Sequence, residues 1–352
     1  MSEWMIYGAN GYTGELCARE AVARGLKPVL AGRRQEAVAG LAEALDLDYR
    51  VFSLDDPEAV RQGLDGMKLV LHCAGPFSAT SKPMVDGCLA TGTHYLDITG
   101  EISVYQACHE RDEEARKAGV MLMPGVGFDI VPTDCLAAML KEKLPDATSL
   151  TLAFEAGGGP SPGTAKTTFE ALTQGGRVRR GGELLEVPLA WRTREIPFAE
   201  GARHGMTIPW GDVYTAYIST GIPDIEVYLA VPPKVSARVA RMNRWRWLLS
   251  LGPLKRLIMR RIERQTPGPD ESRRADTHSK IWGEVSNAAG QSVSGELHTP
   301  NGYDLTVDAA VSISARVLVL DDRTSGFFTP SLFLGADFVL ELGKTSVSFR
   351  ED

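Results

Sequence analysis

The chain has 352 residues, 43% of them hydrophobic and 24% charged, and its formal net charge is −7. This composition is ordinary for a globular protein, and the length corresponds to about two domains. An acidic chain disfavours nucleic acid as the main partner, and the sequence lacks an apolar run of the roughly 18 residues that a membrane span requires.

Up to about residue 145, short apolar strands alternate with helical patterns. Strands are predicted at Trp4–Tyr7, Val29–Ala31, Arg50–Phe52, Leu69–Cys73, Tyr95–Ile98 and Val120–Met123. Helices are predicted at Gly14–Arg24, Gln35–Leu45, 57–64, 80–91 and 103–118. Such strands between helices indicate an α/β domain at 1–145 with a Rossmann-type parallel sheet covered on both faces.

The pattern changes after that point. A strand is predicted at Ser149–Glu155, a hairpin at Ser279–Ser286 and Ser292–His298, and an amphipathic helix at Tyr303–Val319. This mixture predicts a second, α+β domain over residues 146–322, which would bind substrate or mediate dimerisation.

A glycine-rich loop, Gly8-Ala9-Asn10-Gly11-Tyr12-Thr13-Gly14, joins the first predicted strand to the first predicted helix. Glycines at this spacing permit a tight turn and a close approach of the backbone to a pyrophosphate, which the N–H groups at the helix N-terminus then bind. The strand–loop–helix context predicts a dinucleotide site. The alternative is a glycine-rich turn without a ligand.

The end of the second strand bears on the choice of cofactor. NAD-preferring sites carry an acidic residue about 20 positions beyond the glycine motif, whereas this chain has Arg33 and Arg34. Two guanidinium groups suit a 2′-phosphate, so we expect NADP(H); alternatively, the arginines only begin the next helix. Asp55 is expected to accept a hydrogen bond from the adenine amino group, unless Asp56-Pro57 marks only a helix cap there.

The fourth strand leads into Cys73-Ala74-Gly75-Pro76-Phe77. Ligands of open α/β sheets bind beyond the carboxyl ends of the strands, so this loop should lie under the nicotinamide ribose. Gly75 would allow the backbone to approach, and Pro76 would stiffen the loop. His72, within the apolar strand, is expected to be a core histidine rather than a base.

Taken together, these motifs resemble the saccharopine dehydrogenase-like oxidoreductases. Further matching segments are Gly92–Glu101, Gly125–Asp129, Pro209–Asp212, Trp282–Glu284, Gly326–Pro330 and Gly335–Phe338. The resemblance implies an NADP-binding Rossmann domain, an α+β second domain and a C-terminal segment, 323–352, that packs back on the first domain. The family includes saccharopine reductases, carboxynorspermidine-type dehydrogenases and trans-acting enoyl reductases. Phe128–Asp134 replaces the Asp-Pro-Gly-Ile-Asp-His run of saccharopine reductases, which argues against saccharopine as the substrate.

Four candidates for proton transfer lie at the ends of the fifth and sixth strands: Tyr95, Asp97, Glu101 and Asp129. A nicotinamide supplies the hydride, so the protein has only to orient the substrate and exchange a proton. The alternative is that Asp97 and Asp129 cap helices or bind backbone amides. No tyrosine is followed four residues later by lysine, the pair that short-chain dehydrogenases use.

Two other motifs have weaker functional interpretations. Gly159–Gly163 matches the Gly-x-Ser-x-Gly pattern of serine hydrolases, but Pro162 disfavours the strained turn at Ser161. We expect a loop that caps a helix at Gly163–Leu172, where backbone amides with Thr164 and Lys166 would hold a substrate anion unless the turn is purely structural.

The six histidines have no metal-ligand spacing, so we expect no metal.

Residues 234–264 carry ten Lys or Arg and a single acidic residue, interleaved with tryptophan and leucine. Gly252-Pro253 should divide this stretch into two helices. It is either a solvated cover, a subunit interface or a peripheral contact with an anionic membrane.

The sequence therefore predicts an NADP(H)-dependent oxidoreductase that reduces a C=C, C=O or C=N bond of a small or lipid-like substrate. The alternative is a non-catalytic NADP-binding sensor or membrane-surface protein. Five scattered cysteines and the absence of a recognisable signal peptide favour a cytoplasmic protein, with or without peripheral contact at the inner membrane surface. We expect a homodimer.

Overall fold

A computed structural model describes residues 3–155, 161–249, 276–320 and 324–351, together with residues 258, 272 and 274. The chain forms two compact units. The first unit comprises residues 1–129 and 303–330, and the second comprises residues 130–302 and 331–352. These boundaries differ from the predicted domains at 1–145, 146–322 and 323–352.

The secondary structure follows the predicted alternation closely in the first 125 residues. The strands are β1 (Trp4–Tyr7), β2 (Val29–Gly32), β3 (Tyr49–Val51), β4 (Leu69–His72), β5 (His94–Asp97), β6 (Met121–Met123), β7 (Ser149–Glu155), β8 (Gly176–Arg180), β9 (Glu183–Val187), β10 (Thr193–Ile196), β11 (Arg203–Thr207), β12 (Asp224–Ala230), β13 (His278–Ser286), β14 (Ser292–Pro300), β15 (Gly326–Phe327) and β16 (Ser346–Glu351). The helices of the described ranges are α1 (Tyr12–Ala23), α2 (Gln35–Leu45), α3 (Pro57–Leu64), α4 (Phe77–Thr91), α5 (Ile102–His109), α6 (Asp112–Ala118), α7 (Val131–Lys143), α8 (Pro162–Gln174), α9 (Asp212–Thr220), α10 (Pro233–Met242), α11 (Arg246–Leu249), α12 (Gly302–Leu318), α13 (Pro330–Leu334) and α14 (Phe338–Glu341).

The first unit contains a parallel sheet in the order β15-β6-β5-β4-β1-β2-β3. Every residue of β1, β2, β4 and β5 is buried, as expected for strands covered on both faces. The strand order reverses between β1 and β4, and the loops that follow these two strands therefore diverge at the carboxyl edge. The predicted Rossmann-type architecture is confirmed.

The predicted helix at 103–118 is two helices, α5 and α6. The backbone departs from helical geometry at Arg111 (φ −101°, ψ 13°). The guanidinium of Arg111 binds the Asp86 carboxylate of α4 at 2.5 Å, which stabilises the break.

The chain returns to the first unit at α12. Lys68 donates a hydrogen bond to the carbonyl oxygen of Leu318 (2.8 Å), and Arg24 pairs with Asp308 (2.8 Å). The short strand β15 then extends the parallel sheet beside β6, and the Asp112 carboxylate accepts a hydrogen bond from the Phe327 N–H (2.7 Å). These contacts assign the predicted amphipathic helix to the first unit rather than to the second.

The second unit is built on a mixed sheet in the order β10-β11-β12-β7-β13-β14-β16, from which β8 and β9 branch beside β12. Helix α7 packs on one face, where a Cβ at Gly283 would lie 2.8 Å from a methyl carbon of Leu140. This packing explains why residues 130–145 belong to the second unit. Strand β16 pairs with β14, and residues 331–352 belong to the second unit, whereas the segment 323–352 was predicted to pack back on the first domain.

Two predicted segments fall partly outside the described residues. In the loop at 157–163, only residues 161–163 are described; there, Ser161 Oγ accepts a hydrogen bond from the Thr164 N–H (3.2 Å) and caps α8. Within 234–264, the structure describes α10, α11 and residue 258, and the first break between helices comes at residues 243–245. None of the described helices combines the length and apolar character needed to cross a bilayer.

The Asp56 carboxylate caps α3 by accepting hydrogen bonds from the N–H groups of Glu58 (3.0 Å) and Ala59 (3.3 Å). We expect Asp56→Ala to lower the free energy of unfolding by about 1 kcal/mol in urea titrations, because the two amides lose their acceptor. Asp55→Ala removes the neighbouring exposed carboxylate, which is not a cap, and is the matched control. Equal losses of stability in the two variants would contradict the assignment.

Candidate functional site

The glycine loop after β1 is shaped by close backbone contacts. Gly8 has a positive φ of +82°, and a Cβ there would lie 2.8 Å from the Cβ of Ala74 in the loop after β4. A Cβ at Gly14 would lie only 2.3 Å from the Gly8 carbonyl oxygen. The N–H groups of Gly8 and Ala9 both donate to the Ala31 carbonyl oxygen of β2 (2.8 and 3.1 Å). Gly8 and Gly14 are therefore required by packing.

Gly11 has a different role, because it stands at the N-terminus of α1. Its N–H donates to the Gly8 carbonyl oxygen (2.9 Å), and its own carbonyl accepts the first helical hydrogen bond, from Glu15 (2.9 Å). As the N-cap residue, Gly11 has no side chain that could cap this helix. A Cβ at Gly11 would meet only the Gly8 oxygen, at 3.2 Å. The geometry fits a pyrophosphate bound at the helix N-terminus, with Gly11 leaving room for it.

The residues predicted to select NADP lie at the ends of β2 and β3. Arg33, Arg34 and Asp55 are all exposed. Burial raises the pKa of the Tyr7 hydroxyl to about 12, while the charge of Arg33 lowers it and that of Asp55 raises it. The Tyr7 hydroxyl donates to the Phe52 carbonyl oxygen (3.0 Å), and β2 and β3, which precede Arg33 and Asp55, are parallel neighbours in the sheet. The structure brings these two predicted residues to one edge of the sheet.

The loop after β4 is held by hydrogen bonds that involve Thr80 of α4 and His72 of β4. The Thr80 hydroxyl donates to the carbonyl oxygen of Ala74 (2.6 Å) and lies 3.1 Å from that of Pro76. His72 Nε2 is 3.0 Å from Thr80 Oγ1 and must be the donor, since the hydroxyl proton is already used. Burial lowers the pKa of His72 to about 3, so the ring is neutral. His72 thus supports the loop from the core, as expected, and is not placed as a base.

Glu101 connects the loops after β4 and β5. Its two carboxylate oxygens accept hydrogen bonds from the N–H groups of Phe77 (2.8 Å) and Ser78 (2.9 Å), the first residues of α4. A carboxylate at a helix N-terminus is stabilised by the helix dipole. Glu101 therefore fixes the start of α4 and with it the end of the Cys73–Phe77 loop.

Asp97 is fully buried and makes three hydrogen bonds. It accepts from the Tyr95 hydroxyl (2.6 Å), the Thr99 N–H (2.9 Å) and the Gly125 N–H (2.9 Å). Burial raises the pKa of Asp97 to about 7 against the effect of these donors. The contacts are those of a carboxylate that joins the loops after β5 and β6, which corresponds to the alternative weighed from the sequence. The Tyr95 hydroxyl is one of the three donors to Asp97 and is therefore part of this hydrogen-bond network.

Asp129 follows β6 at the same edge of the sheet and is partly exposed. Its carboxylate lies against Gly100, where a Cβ would be 2.7 Å from Asp129 Oδ2. Burial, and next the charge of Glu101, raise the pKa of Asp129 to about 7. A carboxyl group with this pKa can both donate and accept a proton at neutral pH.

Two residues of α12 belong to this site and were missed from the sequence. The Tyr303 ring packs edge-on against that of Tyr12 in the glycine loop, with centroids 5.0 Å apart. Thr306 Oγ1 accepts a hydrogen bond from the Phe128 N–H (2.9 Å) in the loop after β6. Helix α12 therefore contacts the loops at both ends of the site. Within the described ranges, no group of three or more potential ligands could hold a metal ion.

Comparison with known proteins shows what the first unit resembles. Residues 4–123 match the family model of the saccharopine dehydrogenase NADP-binding domain. A probable mitochondrial saccharopine dehydrogenase-like oxidoreductase of Arabidopsis thaliana is 30% identical over 152 residues, which cover 38% of this chain and 33% of that protein. A putative trans-acting enoyl reductase of Mycobacterium tuberculosis is 28% identical over 185 residues, 48% of this chain and 44% of that protein. The chain thus matches less than half the length of these curated relatives.

The fold of the whole chain also has a counterpart. The apo saccharopine dehydrogenase (L-Glu forming) of Saccharomyces cerevisiae superimposes with a TM-score of 0.69 over 100% of both chains, at 11% sequence identity. The resemblance drawn from the motifs is confirmed for residues 4–123, which match the NADP-binding domain of saccharopine dehydrogenase.

Gly11→Val should abolish NADPH binding in a folded protein, because the new side chain occupies the space of the pyrophosphate. Calorimetric titration measures the affinity, and thermal unfolding checks the fold. Gly14→Val is the contrasting variant, since its Cβ meets a backbone oxygen at 2.3 Å and should destabilise the unit itself. Unchanged NADPH affinity in folded Gly11→Val would mean that the phosphates bind elsewhere.

The wild-type protein should bind NADPH more tightly than NADH. Arg33→Ala should weaken NADPH binding about ten- to a hundred-fold, the effect of losing one charged hydrogen-bonded contact, and leave NADH binding unchanged. Lys27→Ala, which removes an exposed cation just before β2, is the control. Equal affinities of the wild type for the two cofactors would refute the role of the arginines.

Proposed function

We propose that this protein is an NADP(H)-dependent oxidoreductase that transfers a hydride between the nicotinamide and a C=C, C=O or C=N bond of a small-molecule substrate. The observation that carries the proposal is the position of Asp129. This residue, whose carboxyl has a pKa of about 7, follows β6 at the edge where the glycine loop follows β1 and the Cys73–Phe77 loop follows β4. An NADP site and a group able to exchange a proton then share one edge of the sheet.

In this proposal, bound NADPH supplies the hydride and the side chains of the chain itself arrange the rest. Arg33 and Arg34 bind the 2′-phosphate, Asp55 binds the adenine, and the glycine loop binds the pyrophosphate. Asp129 donates the proton to the substrate atom that gains negative charge when the hydride arrives. Glu101 and Asp97 hold the loops in register and do not exchange the proton, because their oxygens already accept backbone or Tyr95 hydrogen bonds.

The preferred substrate class is a lipid-like enoyl or keto compound. A relative with 28% identity bears the name of a trans-acting enoyl reductase, which supports this class. The replacement of the saccharopine reductase run by Phe128–Asp134 argues against saccharopine. We further propose that the protein acts as a homodimer.

A non-catalytic NADP sensor is the second candidate. One observation favours it: Tyr95, Asp97 and Glu101, three of the four candidate proton-transfer residues, are engaged in holding loops. Steady oxidation of NADPH with enoyl, keto or imine compounds, followed by absorbance, separates the two. Tight NADPH binding without turnover on any of these classes would favour the sensor.

Asp129→Asn tests the proposed proton donor. In the wild type, the rate of reduction should fall as the pH rises through about 7, because the protonated carboxyl is lost. The variant should lose at least about a hundred-fold in kcat, retain its NADPH affinity and lack this pH-dependent limb. Asp65→Asn, which alters an exposed carboxylate, is the control. Wild-type turnover in Asp129→Asn would refute the assignment.

The same variant has a stability readout that does not depend on turnover. Burial raises the pKa of Asp129 from its ordinary value of 3.8 to about 7 in the folded state, so the native state binds the proton more tightly than the unfolded state does. Its contribution to stability is therefore present below about pH 4 and is lost as the pH rises to about 7. The wild type should therefore lose unfolding free energy between pH 4 and pH 7, and Asp129→Asn should lose less over the same range.

A further inference from the structure

We propose that the second unit docks on anionic lipid surfaces through a tryptophan–arginine surface, formed by Trp191, Trp245 and Trp247 with Lys234, Arg238, Arg241 and Arg244. This surface shares no residue with the proposed NADP site. The proposal therefore stands or fails separately from the proposed reaction.

The basic part of the surface is carried by α10. Lys234, Arg238 and Arg241 are spaced by four and three residues, which puts them on one face of the helix. Together with Val235 and Ala237 they line a shallow concavity of about 470 Å³. Residues 233–249 contain five Lys or Arg and no Asp or Glu, although the whole chain has a net charge of −7. Positive charge is thus concentrated on one part of an acidic protein.

The corner between α10 and α11 is clamped to the rest of the second unit. Asn243 Oδ1 accepts a hydrogen bond from the Leu189 N–H (2.9 Å), and Asn243 Nδ2 donates to the Leu189 carbonyl oxygen (3.0 Å). The guanidinium of Arg246 packs against Gly175, where a Cβ would lie 1.8 Å from Nη1. The clamp fixes this corner beside the segment that carries Trp191.

Three tryptophans near this clamp are exposed to solvent. Trp245 and Trp247, on either side of Arg246, are 62% and 63% exposed, and Trp191 is 46% exposed. By contrast, Trp4 and Trp282 are each only 3% exposed. Large exposed aromatic side chains beside cations are typical of a bilayer interface, where indole rings bind at the level of the headgroups.

An anionic bilayer fits this surface better than a second copy of the chain. A two-fold dimer contact would bring the same patch against itself, and its four cations would then face four cations. An anionic headgroup layer instead complements the cations, each of which adds to binding within a Debye length of the membrane. The acidic remainder of the chain would be repelled, so the protein would bind with this surface towards the lipid.

Co-sedimentation of the full chain with vesicles tests the charge component. We expect binding to phosphatidylcholine vesicles that contain about 30 mol % phosphatidylglycerol at about 50 mM salt, and loss of binding at about 500 mM salt or without the anionic lipid. Arg238→Gln/Arg241→Gln should weaken binding about 30-fold. Lys27→Gln/Lys117→Gln removes the same charge from exposed sites in the first unit and should leave binding unchanged.

The tryptophans are tested by fluorescence. The wild type should show a blue shift with anionic vesicles and quenching by brominated lipid, and Trp245→Ala/Trp247→Ala should lose most of both signals. Tyr49→Ala, at an exposed aromatic residue of the first unit, is the matched control. Circular dichroism and NADPH titration verify that each variant is folded.

Three results would overturn the proposal. The first is no sedimentation of the wild type with anionic vesicles at low salt. The second is equal binding by the wild type and the charge variant. The third is that Trp245→Ala/Trp247→Ala dissociates a dimer in light scattering while vesicle binding is unchanged, which would make this surface a subunit interface.

Discussion

The loops at the carboxyl edge of the first sheet depend on one buried carboxylate. Asp97 has no exposure to solvent, and an isolated charge there would be strongly unfavourable. It is tolerated because Thr99, Gly125 and the Tyr95 hydroxyl all donate to it, so that two loops and a side chain share one acceptor. Removal of this acceptor would leave buried donors unpaired in both loops, a greater loss than that of a surface hydrogen bond.

The neighbouring loops are joined to this centre by a chain of further contacts. Glu101 holds the start of α4, Thr80 binds the carbonyls of the preceding loop, and His72 supports Thr80 from the core. The Thr80 and His72 contacts join α4 to β4 and its loop, and the Glu101 contacts join α4 to the loop after the adjacent strand β5. The edge is therefore preorganised by the protein itself, which reduces the ordering that a bound cofactor or substrate would have to bring about.

Local patterns were sufficient to predict much of the first unit and, in the second, β7 and the β13–β14 hairpin. Helix α2 begins and ends at the predicted residues, and β1 does as well, because both are set by nearby apolar spacing and a short loop. The positions of α7 and β16 depend on pairing with strands far away in the chain, and no local signal reports that. Thr306 accepts its hydrogen bond from Phe128, which is 178 residues away in the sequence, so no local pattern could predict this contact. The glycine loop was recognisable because Gly8, Gly11 and Gly14 form a local spacing pattern between a strand and a helix. The use of Asp97 as a loop anchor was one of two interpretations of its position.

The path of the chain has a consequence for how the protein is made. The first unit is interrupted after residue 129 and resumes at residue 303, and its sheet is complete only when β15 pairs with β6. During synthesis on the ribosome, the first unit therefore cannot complete its sheet until nearly the whole second unit has emerged. Until then, strand β6 is unpaired on one side. The second sheet in turn gains its edge strand β16 last of all. Each unit thus closes with a strand synthesised after the other is largely complete, and a fragment that ends near residue 129 would lack the pieces that finish its fold.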